Sequence, residues 1–213
     1  MKKQGIPVNP HLPAIESDDE VKIKSPEEIM QRALCAFLTA QIGCDVSQGN
    51  DLVDSANFFG EILKKFGLEN NLTADEKRLF EYDESDEIDD DFILNITWRL
   101  EMCMPLFWAC GFVNEDAVSL SDINDTTFII PTIMECEDFS DIINKVKIKS
   151  KSEILDKADV IYRMDWACVD ARVKGISAPS ELNSEVVYEQ HKGFNWIIGA
   201  DGSDDWDNVS ADT

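Results

Sequence analysis

The stretch from Phe92 to Phe112 constrains the fold more than any other part of this 213-residue chain. On a helical wheel it is apolar almost all the way round, and such a helix is stable only where other elements cover every side of it. A covered central helix predicts a mainly α protein: a single-domain helical bundle of about six to seven helices, with at most one short β element near 127–133. A chain of this length is long enough to bury one sizeable core.

The covering helices announce themselves by their ends. Ser25-Pro26-Glu27-Glu28 supplies an N-cap serine, a first-turn proline and two acids at the positive helix end. The apolar stripe behind it, Ile29, Ala33, Ala36, Phe37 and Ala40, has helical spacing and predicts a stop near Gly43. Asn50 or Asp51 caps a second helix through Leu52, Ala56, Phe59, Ile62, Leu63 and Phe66, closed by Gly67. Thr73 and Glu76 form a capping box for a short third one. Past the central helix, Phe128-Ile129-Ile130 has the composition of a short strand, and 137–146 reads as an amphipathic helix. A long helix runs from Lys151 to about Lys174 with Gly175 beyond it, and Asn183 or Ser184 caps a last one that ends at Ile198. Residues 1–24, with Pro7, Pro10 and Pro13, read as an extended N-terminal arm. Residues 25–200 then form the helical domain, and 201–213 an acidic C-terminal tail whose anchors are Trp206 and Val209. No repeat of 20–50 residues is present.

Charge narrows the function classes. Forty-three acidic residues against 19 basic ones give a formal net charge of −24, which repels phosphate backbones and anionic lipid. Neither direct nucleic-acid binding nor membrane binding is expected. Such a surface serves solubility, and it also fits attraction to a basic protein partner, or mimicry of nucleic acid toward a protein that binds it. The acids concentrate at Glu81, Asp83, Glu84, Asp86, Glu87, Asp89, Asp90 and Asp91. The plain reading of that segment is a solvated loop; the functional one makes Asp83, Glu84, Asp86, Glu87, Asp89, Asp90 and Asp91 an acidic docking patch.

Cys35, Cys44, Cys103, Cys110, Cys136 and Cys168 show no C-x-x-C spacing and read as reduced core residues. Met1-Lys2-Lys3 leads into Gln4-Gly5-Ile6-Pro7 and not into an apolar segment, so no secretory signal is read. The run from Met102 to Val113 is broken by Pro105 and is too short to span a bilayer. The expected location is the cytoplasm, where the sequons at Asn71, Asn95, Asn124 and Asn208 carry no glycan.

Several polar residues fall where an ordinary core is aliphatic. Arg99 lies among Phe92, Ile96, Cys103, Leu106 and Cys110, and a buried guanidinium needs an acceptor. Glu101 points the other way, so the counter-charge is expected from another helix. The stripe Ile154, Leu155, Ala158, Ile161, Tyr162 and Val169 contains Asp165 and Arg172, and Asp165 is the expected partner of Arg99. On the opposite face Asp159 and Arg163 have i,i+4 spacing, worth a few tenths of a kcal/mol if exposed. In the last helix Tyr188, His191 and Asn195 make a polar edge beside Val187, Phe194 and Ile198. Arg99, Asp165, Arg172, Tyr188, His191 and Asn195 therefore form one candidate cluster between three helices. It is either a small-ligand or enzymatic pocket with His191 as proton carrier, or a hydrogen-bonded network that fixes helix packing, in which a broken ion pair costs about 3–5 kcal/mol.

Other chemistries lack their signatures. His11 and His191 are the only histidines, so no zinc site or other metal centre is expected. No local pattern supports Cys103 or Cys168 as a nucleophile. Neither G-x-x-x-x-G-K-[ST] nor G-x-G-x-x-G occurs, and no cofactor is implied. Asp201 to Trp206 resembles half a calcium loop, but its sixth position is Trp206 and its twelfth Asp212, so weak cation binding is the most it offers. Pro105 kinks the central helix, and Met102, Met104, Phe107 and Trp108 around it read as core and not as a groove.

The segments SPEEIMQRALCAFLTA, LTADEKRLF, TWRLEMCMPLFWACGF, KSEILDKADVIYRMDWACVDARVKG, VVYEQHKGFNWIIG and WDNVSADT, in this order, resemble a mainly bacterial family catalogued as domain of unknown function 4272. Its WR-x-E element falls on Trp98, Arg99 and Glu101. Its YR-x-x-WA-x-x-DAR element falls on Tyr162, Arg163, Trp166, Ala167, Asp170, Ala171 and Arg172, and its ERH-x-x-x-NW element on Glu189, Gln190, His191, Asn195 and Trp196. Gln190 replaces the usual Arg, and Pro105 is a second departure. The resemblance implies no activity, since the family has none established. The leading expectation is a non-enzymatic protein-interaction module, an acidic inhibitor or immunity-type partner of a basic protein. The alternative is the pocket built on the six polar residues.

Overall fold

A computed structural model of the chain describes residues 1, 5–16, 21–83, 87, 89–114, 118–200 and 204–213. Among them lie eight α-helices and no strand: α1 Pro26–Ser47, α2 Leu52–Lys65, α3 Ala74–Arg78, α4 Asp90–Ala109, α5 Ile129–Met134, α6 Phe139–Lys145, α7 Lys151–Val173 and α8 Ser184–Ile198. Local side-chain chemistry sets most of their starts. Ser25, Thr73 and Ser150 each complete a capping box with a glutamate three residues on, and Asp51, Asp89 and Asn183 cap α2, α4 and α8 with side-chain oxygens. Each such cap satisfies amide groups that the first helical turn leaves without a partner, worth about 1 kcal/mol.

Helix α4 occupies the centre, as its all-round apolar sequence requires. Helices α1 and α8 pack on it, α2 packs on α1, and α7 on α8. Phe107 of α4 meets Phe37 of α1 edge-on with ring centroids 5.6 Å apart, and Trp108 meets Phe194 of α8 at 5.7 Å. Met102, Met104 and Phe107 are buried to within 1%; these side chains are core and form no groove. Two glycines set how closely the helices approach. A Cβ on Gly193 of α8 would lie 2.3 Å from the Met102 carbonyl oxygen and 3.0 Å from Pro105 Cγ of α4, and one on Gly43 of α1 would lie 2.5 Å from Thr97 Oγ1.

Two sequence expectations are overturned. Helix α1 does not stop near Gly43 but continues to Ser47; the glycine serves the α1–α4 approach and not a terminus. The segment expected as a strand is helical: Ile129 and Ile133, four residues apart, are the buried residues of α5. Pro131 stands in its first turn, where a missing amide hydrogen costs little.

The six cysteines are all free thiols. Burial pushes Cys35 and Cys110 up to about 12 and raises Cys103 further, away from the reactive thiolate. The described part of the N-terminal segment lies on α7 and α8. Arg163 donates to the Leu12 and Pro13 carbonyls, Ile15 donates its amide to Asp159 at 3.2 Å, and the Lys24 amide donates to Ile197 O at 3.1 Å. Trp206, Val209 and Ala211 near the other end are buried. Among the described residues no helix is long and apolar enough to cross a membrane.

Candidate functional site

The six polar residues expected to form one cluster are divided among three places. Arg99 projects from α4 toward α3 and the C-terminal segment. Its guanidinium lies 2.9 Å from Asp75 Oδ2, 2.9 Å from Asp207 Oδ1 and 3.9 Å from Glu76 Oε1. Glu76, fully buried, also pairs with Arg32 of α1, and Arg32 lies over the Trp206 ring. Asp165 is therefore not the partner of Arg99. The counter-charges come from the short capped helix α3 and from Asp207, neither of which the helical wheel of α4 identifies. As members of a polar site Arg32, Asp75, Glu76 and Asp207 escaped the sequence reading, which took Glu76 only as a capping-box residue. One signal for Arg32 was present, because it stands three residues after Ile29 and four before Ala36, on the stripe that α1 buries.

Asp165 instead meets His191. The Nδ1–H of the imidazole donates to Asp165 Oδ2 at 2.9 Å, and both side chains are at least 97% buried. The Tyr162 ring packs 5.6 Å from the imidazole, whose Nε2 is buried without a hydrogen-bond partner among the described residues. Asn195, one turn further along α8, donates to the Ser210 carbonyl at 2.9 Å and so ties the C-terminal segment to α8.

A cleft of about 730 Å³ opens beside this pair. One wall is a face of α7 carrying Asp165, Cys168, Val169 and Arg172, at i, i+3, i+4 and i+7. Ser184, Glu185 and Tyr188 of α8 face it, Ile176 and Ala178 close one end, and residues 211–213 lie along the rim. Asp165, Arg172 and Tyr188 are thus brought together; His191 stands behind Asp165 and does not line the cleft. Its volume is within the range of small-ligand sites, about 300–1,000 Å³. Three side-chain carboxylates, on Asp165, Glu185 and Asp212, line the cleft together with one guanidinium. That guanidinium, on Arg172, is exposed and has no hydrogen bond or ion pair among the described residues.

A third polar site lies between α4 and α8. Glu101 is buried and its two oxygens accept from the Asn124 amide at 2.6 Å, from Asn124 Nδ2 at 2.7 Å and from Gln190 Nε2 at 3.3 Å. Burial raises its carboxyl above the usual range, and the donors from Asn124 and Gln190 offset part of that. As the wheel indicated, Glu101 faces away from Arg99. Its partners lie on a loop and on α8, and Gln190 supplies a neutral donor where the resemblance expects an arginine.

The acidic segment is only partly within view. Glu84 and Asp86 lie outside the described residues, as do Asp201, Gly202 and Ser203 of the calcium-like run. Asp89 is the N-cap of α4, accepting from the Asp91 and Phe92 amides at 3.1 and 3.2 Å, and Asp90 and Asp91 stand in its first turn. Those three acids have a structural use at the positive end of the helix. Asp83 and Glu87 are exposed.

No curated protein and no solved structure gives a significant match to the chain. A family match spans residues 1–209 and takes in all three polar sites except the rim of the cleft at 211–213. The chain that builds them belongs to the family described as a domain of unknown function, DUF4272.

Proposed function

We propose that this protein is a non-enzymatic interaction module that takes up a basic protein partner on its acidic surface, in the manner of an inhibitor or immunity-type protein. The observation that carries this reading is how the charge is spent. Lys24, Arg32, Lys64, Arg78, Arg99, Arg163, Lys174 and Lys192 are each paired with an acid of the same chain. These eight of the 19 basic residues are held by the chain's own acids, and because each pair cancels one charge of either sign, the formal surplus of 24 negative charges is left to act on whatever approaches. Buried thiols far from ionisation and a histidine 1% exposed and tied to Asp165 favour binding over catalysis. The rival pocket of six polar residues loses Arg99 and Asn195 to other sites; what favours a ligand site is the cleft alone.

The test is binding of a lysine- and arginine-rich peptide to the full chain as salt is stepped up, for the natural sequence and for a variant with Asp83, Glu84, Asp86 and Glu87 neutralised. Asp89 is left in place because its capping role would confound the result. Binding at low salt that weakens steeply with added salt is expected, since screening shortens the reach of exposed charges to about 10 Å at 0.1 M. The same peptide with its basic residues exchanged for neutral ones binding equally well would sink the reading.

A further inference from the structure

The cleft between α7 and α8 is bipolar, and that polarity specifies an occupant. Asp165 and Arg172 stand on one face of α7, two turns and about 10 Å apart along the axis. Asp165 lies at the buried end, with Oδ2 engaged by His191. At the exposed end, Arg172 pairs with neither Glu185 nor Asp212, although both line the same cleft. Between the poles lie Cys168 and Val169, an apolar path of the kind that a lysine or arginine stem covers while its charged head reaches further.

We propose that this cleft receives the C-terminal residue of the basic partner, a lysine or arginine with a free carboxylate. The side-chain cation is held by the carboxylate of Asp165, the methylene stem lies on Cys168 and Val169, and the terminal carboxylate pairs with Arg172. Planar guanidinium is suited to a carboxylate through two parallel hydrogen bonds. The assignment rests on the reading of the protein as a binder of basic partners, and it adds the place and the end group. The excess of carboxylates excludes simple anions, and the unpaired arginine disfavours a bare polycation, leaving a ligand that carries both charges.

The experiment uses the full chain and three fluorescent peptides of one basic sequence: ending in lysine with a free carboxylate, ending in lysine amide, and ending in alanine with a free carboxylate. The free-acid lysine peptide is expected to bind about tenfold tighter than its amide, the value of one charge-assisted contact. Arg172→Ala should abolish that difference while leaving the amide's affinity unchanged. The alanine-ended free acid should bind more weakly than the lysine-ended one, because it brings no cation to Asp165. Arg172 is exposed, so its substitution does not threaten the fold. Equal binding of acid and amide, or an Arg172→Ala loss shared equally by both, would overturn the proposal. If all three peptides bind alike at low salt and release with added salt, the cleft assignment falls while the acidic-surface reading survives; if none binds at low salt, both fall. Free lysine competing as well as the peptide would overturn the chain end as the occupant.

Discussion

Glu101 shows how much a single buried carboxylate asks of its neighbours. It accepts three hydrogen bonds, two of them from Asn124, and the third comes from Gln190, itself fully buried and also donating to the Ser119 carbonyl at 3.1 Å. Burial nevertheless raises its carboxyl above the ordinary 4.5. A raised carboxyl means that the folded state keeps its proton to higher pH than the unfolded chain does. This contribution to stability is full below the unfolded value and is lost as pH rises through the folded one. Gln190→Leu removes one donor and should cost about 1–3 kcal/mol. The cost should be smaller on the acid side, where a protonated Glu101 needs fewer donors, and grow as pH rises and the carboxylate forms. Thermal melts of both proteins across that range check this, and a cost independent of pH would remove Glu101 as its cause.

At the scale of elements, the packing of α8 on α4 depends on Gly193, and that of α1 on α4 on Gly43. Alanine is ordinarily the better helix former by roughly 1 kcal/mol. At Gly193, however, the added methyl meets a backbone carbonyl at 2.3 Å, which cannot move without shifting α4. Gly193→Ala should therefore destabilise by about 1–3 kcal/mol, the usual cost of overpacking. Gly43→Ala should cost less, because its nearest obstacle is a side-chain atom, the Thr97 hydroxyl, and the backbone atoms Ile93 O and Thr97 N stand further off at 3.2 and 3.3 Å. Denaturant titrations of the two variants rank them, and a Gly43→Ala variant the less stable of the pair would contradict the argument. These glycines also mark where sequence reasoning ends. Helix starts at Ser25 and Thr73 were legible because a cap and its partner lie three residues apart, and the start at Lys151 was placed although its cap, Ser150, was not recognised. Gly43 looked like a stop because nothing local reveals a helix pressed against it. Phe128-Ile129-Ile130 looked like a strand because its composition is apolar and β-branched, yet no partner strand exists among the described residues. The same limit divided the candidate site: the wheel placed Arg99 and Asp165 correctly on buried faces, but which acid meets which base depends on α3 and the C-terminal segment arriving from far along the chain.

At the scale of the whole molecule, residues 204–213 act as a clasp across the bundle. Trp206 packs edge-on to Trp196 of α8 at 5.4 Å, Asn195 holds the Ser210 carbonyl, and Asp207 reaches Arg99 and accepts from the Asp75 amide at 3.1 Å. Burial pushes the Asp207 carboxyl up, but the Thr73 hydroxyl, the Asp75 amide and Arg99 together hold it below the ordinary 3.8. A depressed carboxyl has the opposite linkage to Glu101: its stabilisation is present above 3.8 and is lost as pH falls through the lower folded value. Acid should thus loosen the clasp, because a protonated Asp207 no longer balances Arg99, whose remaining partners are the more exposed Asp75 and Glu76, which is 3.9 Å away and shared with Arg32. Asp207→Asn should reproduce that loosening at neutral pH at a cost of about 1–3 kcal/mol, less than for a pair left wholly uncompensated. Tryptophan fluorescence reports the Trp196–Trp206 contact and far-ultraviolet circular dichroism the helices. In the natural protein the fluorescence transition should come at a higher pH than the loss of helix, and in Asp207→Asn the fluorescence should already be shifted at neutral pH. Coincident transitions, with the same midpoint in both proteins, would mean that the segment is an inseparable part of the bundle and that Asp207 does not hold it in place.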